Sequence, residues 1–461
     1  MKKALAILLL VQSGLVFSQQ SSTTDDMQLY RVLNNGLWGY IDASGAVRVP
    51  AQFDYAFPFR NGFSVVRSGP EREGLRAFIS ESGDLITDFR FDRAYHFVNG
   101  FGKAVVDGKW GFVTETGETL VTFIWDAAGT FSDGHVAVGT GSFRDRRWGL
   151  LDAEGRLVLP NAYRRLQYAG EGFWRVSVDG ENWALFRPGE GVLQEFPYSR
   201  LGSFVDGYLV AERAQRADQD GEDAPLYEVL DARLEVVYSS RLRINAYSEG
   251  IAEIREGDRS QYRRVADDTV LGASEGYERA GRFTDGRAIV GIGDNWRERK
   301  WGVIAADGSY VVPPLFDGIE RFSGEGLARV RVSGVYGFLD TSGRLAVPAV
   351  WERTGSFSDG LCPVMRDGKW GYIDSSGTLV IGLEYDRAWD FVDGYAVVRV
   401  GSRSEGTRYY IAPDGSVAFG RGFEWAYAFK GPLAHIAEGD FDEGSFGYIN
   451  RDGEVVWDPR N

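Results

Sequence analysis

From about residue 28 onward the chain is a succession of short runs in which apolar and polar positions alternate, each bounded by Gly, Asp or Pro. Residues 370–374 (Trp-Gly-Tyr-Ile-Asp) form one such run and residues 395–400 (Tyr-Ala-Val-Val-Arg-Val) another. Period-two alternation predicts strands with one packed face. The Asp-x-x-Gly that follows Ile373 predicts a tight hairpin. Its carboxylate would cap the turn, and Gly377 would take a backbone conformation that side chains oppose. Residues 378–381 continue as a second strand, and residues 395–400 form a third. Pro50, Pro160, Pro313 and Pro348 are expected to mark the exits of second strands, because proline donates nothing to a ladder.

The pattern repeats. Trp38, Trp110, Trp148, Trp301, Tyr336, Trp370 and Phe446 each precede a glycine, and a second glycine follows seven residues after each. Weaker copies start at Arg76, Trp183, Tyr227, Tyr262 and Arg408, giving twelve anchors between residues 38 and 446 at a mean period of about 37 residues. A second motif runs in phase: aromatic, acid, x, small, x, x, Phe, with Gly three residues later. Phe91-Asp92 to Phe97 with Gly100, Trp125-Asp126 to Phe131 with Gly134, and Tyr385-Asp386 to Phe391 with Gly394 are examples. This second motif reads as a connector whose rings enter the core.

The Lys-Trp-Gly-Tyr-Ile-Asp core followed by a glycine turn resembles the WG-repeat family of bacterial proteins, over essentially all of the chain after residue 27. The resemblance implies a repeat fold and carries no catalytic or cofactor-binding residues with it. The strand reading therefore predicts an all-β chain of tandem three-stranded β-meanders, about twelve units of roughly 37 residues. A meander cannot bury both faces alone, so units must stack on their neighbours. Twelve units exceed the usual number of propeller blades, which favours an open or superhelical β-solenoid, with a β-propeller as the alternative. The units over about 183–300 are degenerate. A polar run at 211–224, containing Arg213, Arg216, Asp218, Asp220, Glu222 and Asp223, reads as a solvated loop or, alternatively, a docking insertion or the divide between two sub-arrays.

Residues 1–18 change the picture of where the array works. Lys2 and Lys3, an apolar stretch at 4–11 and small residues up to Ser18 read as a secretory signal cut before Gln19, with a short linker at 19–27 and the array at 28–461. The expected product is exported, to the periplasm, the outer surface or beyond. Cleavage would remove two of 51 basic residues and leave 49 against 66 acidic ones, a net charge of −17. Such a charge disfavours nucleic acid and anionic membrane as partners. Cys362 is the sole cysteine, so no internal disulfide forms, and its apolar neighbours predict a buried thiol.

Candidate chemistry is sparse. His96, His135 and His435 fall in different units without zinc-helix spacing. Asp42, Asp152, Asp340 and Asp374 recur at one turn position, and Asp54, Asp92, Asp126, Asp317 and Asp386 at one connector position. Repetition at a fixed phase points to turn chemistry rather than acid–base pairs. No catalytic, metal or cofactor-binding residue is assigned. Trp38, Trp110, Trp148, Trp183, Trp301, Tyr336, Trp370 and Phe446 are read as structural anchors. Trp174, Trp296 and Trp457 fall outside both motifs and are the candidate contact residues. The expected function is a non-enzymatic protein-binding or scaffolding surface of the bacterial envelope, with an unidentified protein partner; the alternative is a carbohydrate or cell-wall-binding module.

Overall fold

The computed structural model describes residues 28–193, 198–213, 226–437 and 446–458. The signal-like segment, the linker at 19–27 and most of the polar run at 211–224 lie outside them. Among the described residues the chain forms twelve separate antiparallel sheets, each a simple meander built from consecutive strands.

The third sheet is representative. Its strands are Arg93–Ala94, Phe101–Val106, Lys109–Thr114 and Thr119–Trp125, hydrogen-bonded in that order. The Trp strand is thus the third of its sheet, not the first of a unit. The alternating segment after the Phe-x-x-Gly turn pairs forward with it, Val105 facing Trp110. The connector contributes a two-residue first strand, so most sheets have four strands where the sequence pattern predicts three.

Pairing explains why the two motifs share one period. The anchor faces the aromatic of the aromatic-acid motif directly across the strands: Trp38 with Phe53, Trp110 with Trp125, Trp148 with Tyr163, Trp301 with Phe316, Tyr336 with Trp351, Trp370 with Tyr385. Immediately after the anchor the register slips by a β-bulge. The last strand there crosses so close that a Cβ on Gly302 would lie 2.6 Å from the Val312 carbonyl oxygen and 2.7 Å from the Pro314 nitrogen. The Gly of Trp-Gly is a steric requirement of the bulge. Pro50, Pro160, Pro313 and Pro348 do not mark strand exits. They sit inside the last strands, Val47–Phe53, Leu157–Tyr163, Tyr310–Phe316 and Leu345–Trp351, and are exposed. These strands lie at a sheet edge, where a missing N–H is tolerated.

Neighbouring sheets stack by three recurring contacts. The glycine of the Asp-x-x-Gly turn presses on the last strand of the preceding sheet: Gly155 on Leu120, Gly343 on Val311, Gly377 on Val347; Gly117, in a Thr-x-x-Gly turn, presses likewise on Ile86. The tyrosine two residues after the anchor reaches the next sheet. Tyr40 Oη donates to the Phe57 carbonyl at 2.8 Å, Tyr372 to Trp389 at 2.8 Å and Tyr410 to Tyr427 at 2.7 Å. Between sheets lie separate apolar clusters, such as Val65, Phe78, Phe91, Phe97, Ala104 and Val113 between the second and third.

All three contacts also join the last sheet to the first. Gly45 presses on Val456, Tyr448 Oη donates to the Arg31 carbonyl at 3.0 Å, and Tyr30, Val32, Ile41, Leu433 and Tyr448 form a cluster of their own. Five buried side chains at about 1.5–3 kcal/mol each outweigh one hydroxyl bond at about 1 kcal/mol, so packing closes the ring. Neither terminal sheet takes a strand from the other. The array is a closed twelve-bladed β-propeller, and the solenoid expectation is corrected. The repeat pattern defines the blade, whereas closure depends on the small rotation between blades, which leaves no mark on strand periodicity.

The degenerate region forms ordinary blades. Strands Tyr208–Arg213 and Tyr227–Asp231 pair directly, with the Arg213 N–H donating to Leu226 at 2.9 Å, so the polar run emerges from a hairpin inside the sixth blade rather than dividing two arrays. In the seventh blade the anchor place, opposite Tyr277, belongs to Ser260. Tyr262 is the following tyrosine, and its hydroxyl reaches the Gly281 carbonyl of the next blade at 2.5 Å.

Candidate functional site

Because every blade is the same meander, the hairpins that precede the anchor strands all emerge on one face of the ring. The Asp-x-x-Gly and Phe-x-x-Gly turns emerge on the other. On that second face the carboxylates are spent on turns. Asp374 Oδ1 accepts the Ser376 and Thr378 N–H groups, each at 2.9 Å, and Asp340 makes the same pair. The Ser342 hydroxyl and these N–H bonds hold the Asp340 carboxyl down at about 2.

The connector acids belong to the hairpin face and are equally committed. Asp386 Oδ1 takes the Lys369 ammonium at 2.7 Å, and its Oδ2 accepts the Gly401 N–H at 2.7 Å. Asp126 does the same with Lys109 and Gly141, and Asp317 with Lys300 and Ser333. Each carboxylate staples one blade's anchor strand to the next blade's hairpin. Hydrogen bonding to the lysine lowers the acid's pKa in all three.

Among the described residues five hairpins on this face are expanded: 69–74, 141–146, 178–183, 293–299 and 401–406. Two of them carry the most exposed large apolar side chains among the described residues, Phe143 at 89% and Trp296 at 75%. Below the hairpins, cations lie over aromatic rings. Arg31 covers Trp38, Arg93 and Lys103 cover Trp110, Arg146 covers Trp148, and Arg165 and Arg175 cover Trp183. Arg329 covers Tyr336, and Arg387 covers Trp370 at 4.9 Å. Two clefts open here. One, of about 490 Å³, lies among Phe143, Arg146, Trp148, Arg164, Arg165 and Glu181. The other, of about 470 Å³, is lined by Arg387, Trp389, Arg399, Arg403, Arg408 and Trp425.

The anchors Trp38, Trp110, Trp148, Trp183, Trp301 and Tyr336 are half-buried, Trp370 is buried, and Phe446 takes the same strand position opposite Ala437. Of the three candidate contact residues only Trp296 is a surface residue. Trp174 is 2% exposed and packs with Leu150, Leu166 and Phe186, so its place outside the motifs reflects a degenerate blade rather than a contact surface. Trp457 lies half-buried against the closing cluster. The sequence pattern missed Phe143 and the arginines over the rings. The available signal was the expanded spacing before the anchor at 141–146 and 401–406, and the arginines that replace Trp at 76 and 408.

The three histidines stay apart, and no group of His, Cys, Asp and Glu among the described residues is arranged to hold a metal ion. Burial lowers the pKa of His96, and burial with Arg31 and Lys430 brings His435 to about 4. Cys362 is buried, and desolvation pushes its thiol far above the usual range.

The fold and its motif define a class, a β-propeller assembled from repeated short meanders. The chain belongs to the WG-containing repeat family, whose repeat matches residues 38–69, 77–110, 110–141, 301–336, 336–370 and 370–403. No curated protein matches it. Among solved structures it is similar to a eukaryotic initiation factor (10% identity, TM-score 0.37, 86% of this chain and 96% of that one). It is also similar to the tricorn protease (8%, TM-score 0.19, 94% and 62%). A third similarity is to the extracellular domain of a putative hybrid two component system from B. thetaiotaomicron (10%, TM-score 0.21, 94% and 64%).

Proposed function

We propose that this chain is an exported, non-enzymatic binding protein of the bacterial envelope, which engages a protein partner through the hairpin face of its ring. The observation that carries this reading is the pair of exposed aromatic tips, Phe143 and Trp296, beside arginine-covered rings on one face. Aromatic and arginine side chains dominate the binding energy of protein interfaces. The carboxylates repeated through the array are committed to turns and staples, which favours recognition over hydrolysis. The basic start of the chain and the apolar stretch after it support export.

The test compares the wild-type chain with a Phe143→Ser/Trp296→Ser double variant as bait for chemical cross-linking in envelope extracts. Both residues are exposed, so stability is expected to hold within about 0.5 kcal/mol. A protein recovered at fixed stoichiometry by the wild type should fall at least tenfold with the variant, the effect of losing two central aromatics. Equal recovery overturns the reading. Saturable quenching of tryptophan fluorescence by cell-wall glycan fragments, abolished in the same variant, would replace it with the carbohydrate-binding alternative, for which the flat exposed ring of Trp296 is the favouring feature.

A further inference from the structure

The anchor position holds an aromatic in most blades, and in several of them the residue opposite it on the preceding strand is small or apolar: Val105 facing Trp110, Gly139 facing Trp148, Gly291 facing Trp301, Met365 facing Trp370. Where a charged residue stands there it faces an uncharged anchor in three blades, Glu212 with Tyr227, Arg255 with Ser260 and Arg331 with Tyr336. Two blades instead oppose one arginine to another. In the second, Arg67 faces Arg76; in the eleventh, Arg399 faces Arg408. Like charges directly opposed across a sheet are destabilising. In the eleventh blade one member of the pair is buried and the other, Arg399, is half-buried. Arg408 is 5% exposed, and the Arg399 Nε is buried with no hydrogen-bond partner among the described residues. Arg408 packs its guanidinium at 3.9 Å over the Trp425 ring and donates to the Glu424 carbonyl. Burial, and after it the charge of Arg399, lowers its pKa. Asp386, which acts electrostatically with Arg399, is already committed to Lys369 and the Gly401 N–H.

Arg387 and Arg403 complete the cleft described above, with Trp389 and Trp425 as its apolar walls. Four guanidiniums converge there, and no carboxylate lines the space, in a chain whose net charge is −15. A cluster of like charges that opens to solvent calls for an anion. Guanidinium forks match carboxylates in paired hydrogen bonds, and indole walls suit a ligand with apolar parts between its charges. The overall negative charge works against long polyanions.

We infer that the cleft between the eleventh and twelfth blades is a carboxylate-recognition site that takes a short acidic segment of a protein partner. This rests on the proposed reading that the partner is a protein.

The experiment titrates a fluorescein-labelled Glu/Asp/Leu peptide into the full chain and follows anisotropy, with the Gln/Asn/Leu peptide, oligogalacturonate and inorganic phosphate as parallel probes. The acidic peptide should bind, weaken as salt rises, and lose about tenfold in affinity with Arg403→Gln, whose side chain stands in an exposed hairpin. Arg408→Trp restores the residue that other blades carry and so preserves folding while removing one of the opposed charges. It should abolish binding, with circular dichroism and the melting temperature unchanged or raised. Binding unaffected by either substitution overturns the site. So does equal binding of the Gln/Asn peptide, or binding of oligogalacturonate or phosphate in place of the acidic peptide. If the partner captured through Phe143 and Trp296 is not displaced by the acidic peptide, the protein-binding reading stands and this cleft falls. If no protein is captured but the peptide binds and Arg408→Trp abolishes it, the cleft stands and that reading falls.

Discussion

The smallest unit of this fold is a glycine that must be a glycine. Gly302 shows the reason: its missing Cβ is where the Val312 carbonyl and the Pro313–Pro314 backbone pass. Backbone cannot step aside as a flexible side chain can, so Gly302→Ala is expected to destabilise by about 1–3 kcal/mol through overpacking, read as a fall in the urea midpoint. Gly36, in a hairpin with open space around its Cα, carries a different constraint, a φ of +79° that side chains resist. A Gly302→Ala variant as stable as the wild type would remove the bulge as the cause of the Trp-Gly pair. The same contact limits what the repeat tolerates next to the anchor, while the anchor itself varies among Trp, Tyr, Phe, Arg and Ser.

A blade is held to its neighbour by geometry that two separate motifs supply. Asp386 lies at the end of one blade's last strand and grips both Lys369 of that blade and the hairpin of the next through Gly401. Asp386→Ala should therefore loosen the hairpin at 401–406 by about 1.5 kcal/mol, the low end for a hydrogen bond to a charged group because the carboxylate is partly exposed, and speed trypsin cleavage at Arg403. Cleavage at the wild-type rate would mean that the staple is decorative. The strands, turns and anchors were legible in the sequence because side-chain alternation and turn residues are local. The division into blades was not. A unit counted from Trp370 puts its strand first, whereas the hydrogen bonds of Met365 and Val364 to the strand from Lys369 to Asp374 place it third. Pairing partners on either side of a hairpin look alike in sequence. Trp174 was misplaced for a related reason: the blade from Arg165 to Val192 departs from the motif, so a core ring there stood out as if it were a surface one.

At the scale of the whole molecule the seam between the twelfth and first blades carries a pH sensitivity. His435 stacks on Tyr448 at 4.7 Å beside Arg31 and Lys430, and burial with those two cations depresses its pKa to about 4. The folded state thus keeps His435 neutral where the unfolded chain protonates it. The stability this contributes is present above the unfolded pKa, near 6.5, and is lost as pH falls from there toward about 4. The loss is on the order of 2 kcal/mol for a half-buried ring. Thermal melts between pH 7 and pH 4 should show it, and His435→Phe, which keeps the stack on Tyr448, should flatten that part of the profile. An unchanged pH dependence in the variant would place the titration elsewhere. Because the seam is built from contacts that recur at other blade interfaces, the ring has no privileged beginning. An open array of repeats needs capping units to end it, while this one ends by meeting itself. The number of units is then a commensurability condition. A duplication or loss of one unit by unequal recombination would merely lengthen or shorten a rod, but here it leaves a wedge between the terminal blades, so the copy number is held by the apolar packing of Tyr30, Val32, Ile41, Leu433 and Tyr448 that closes the circle.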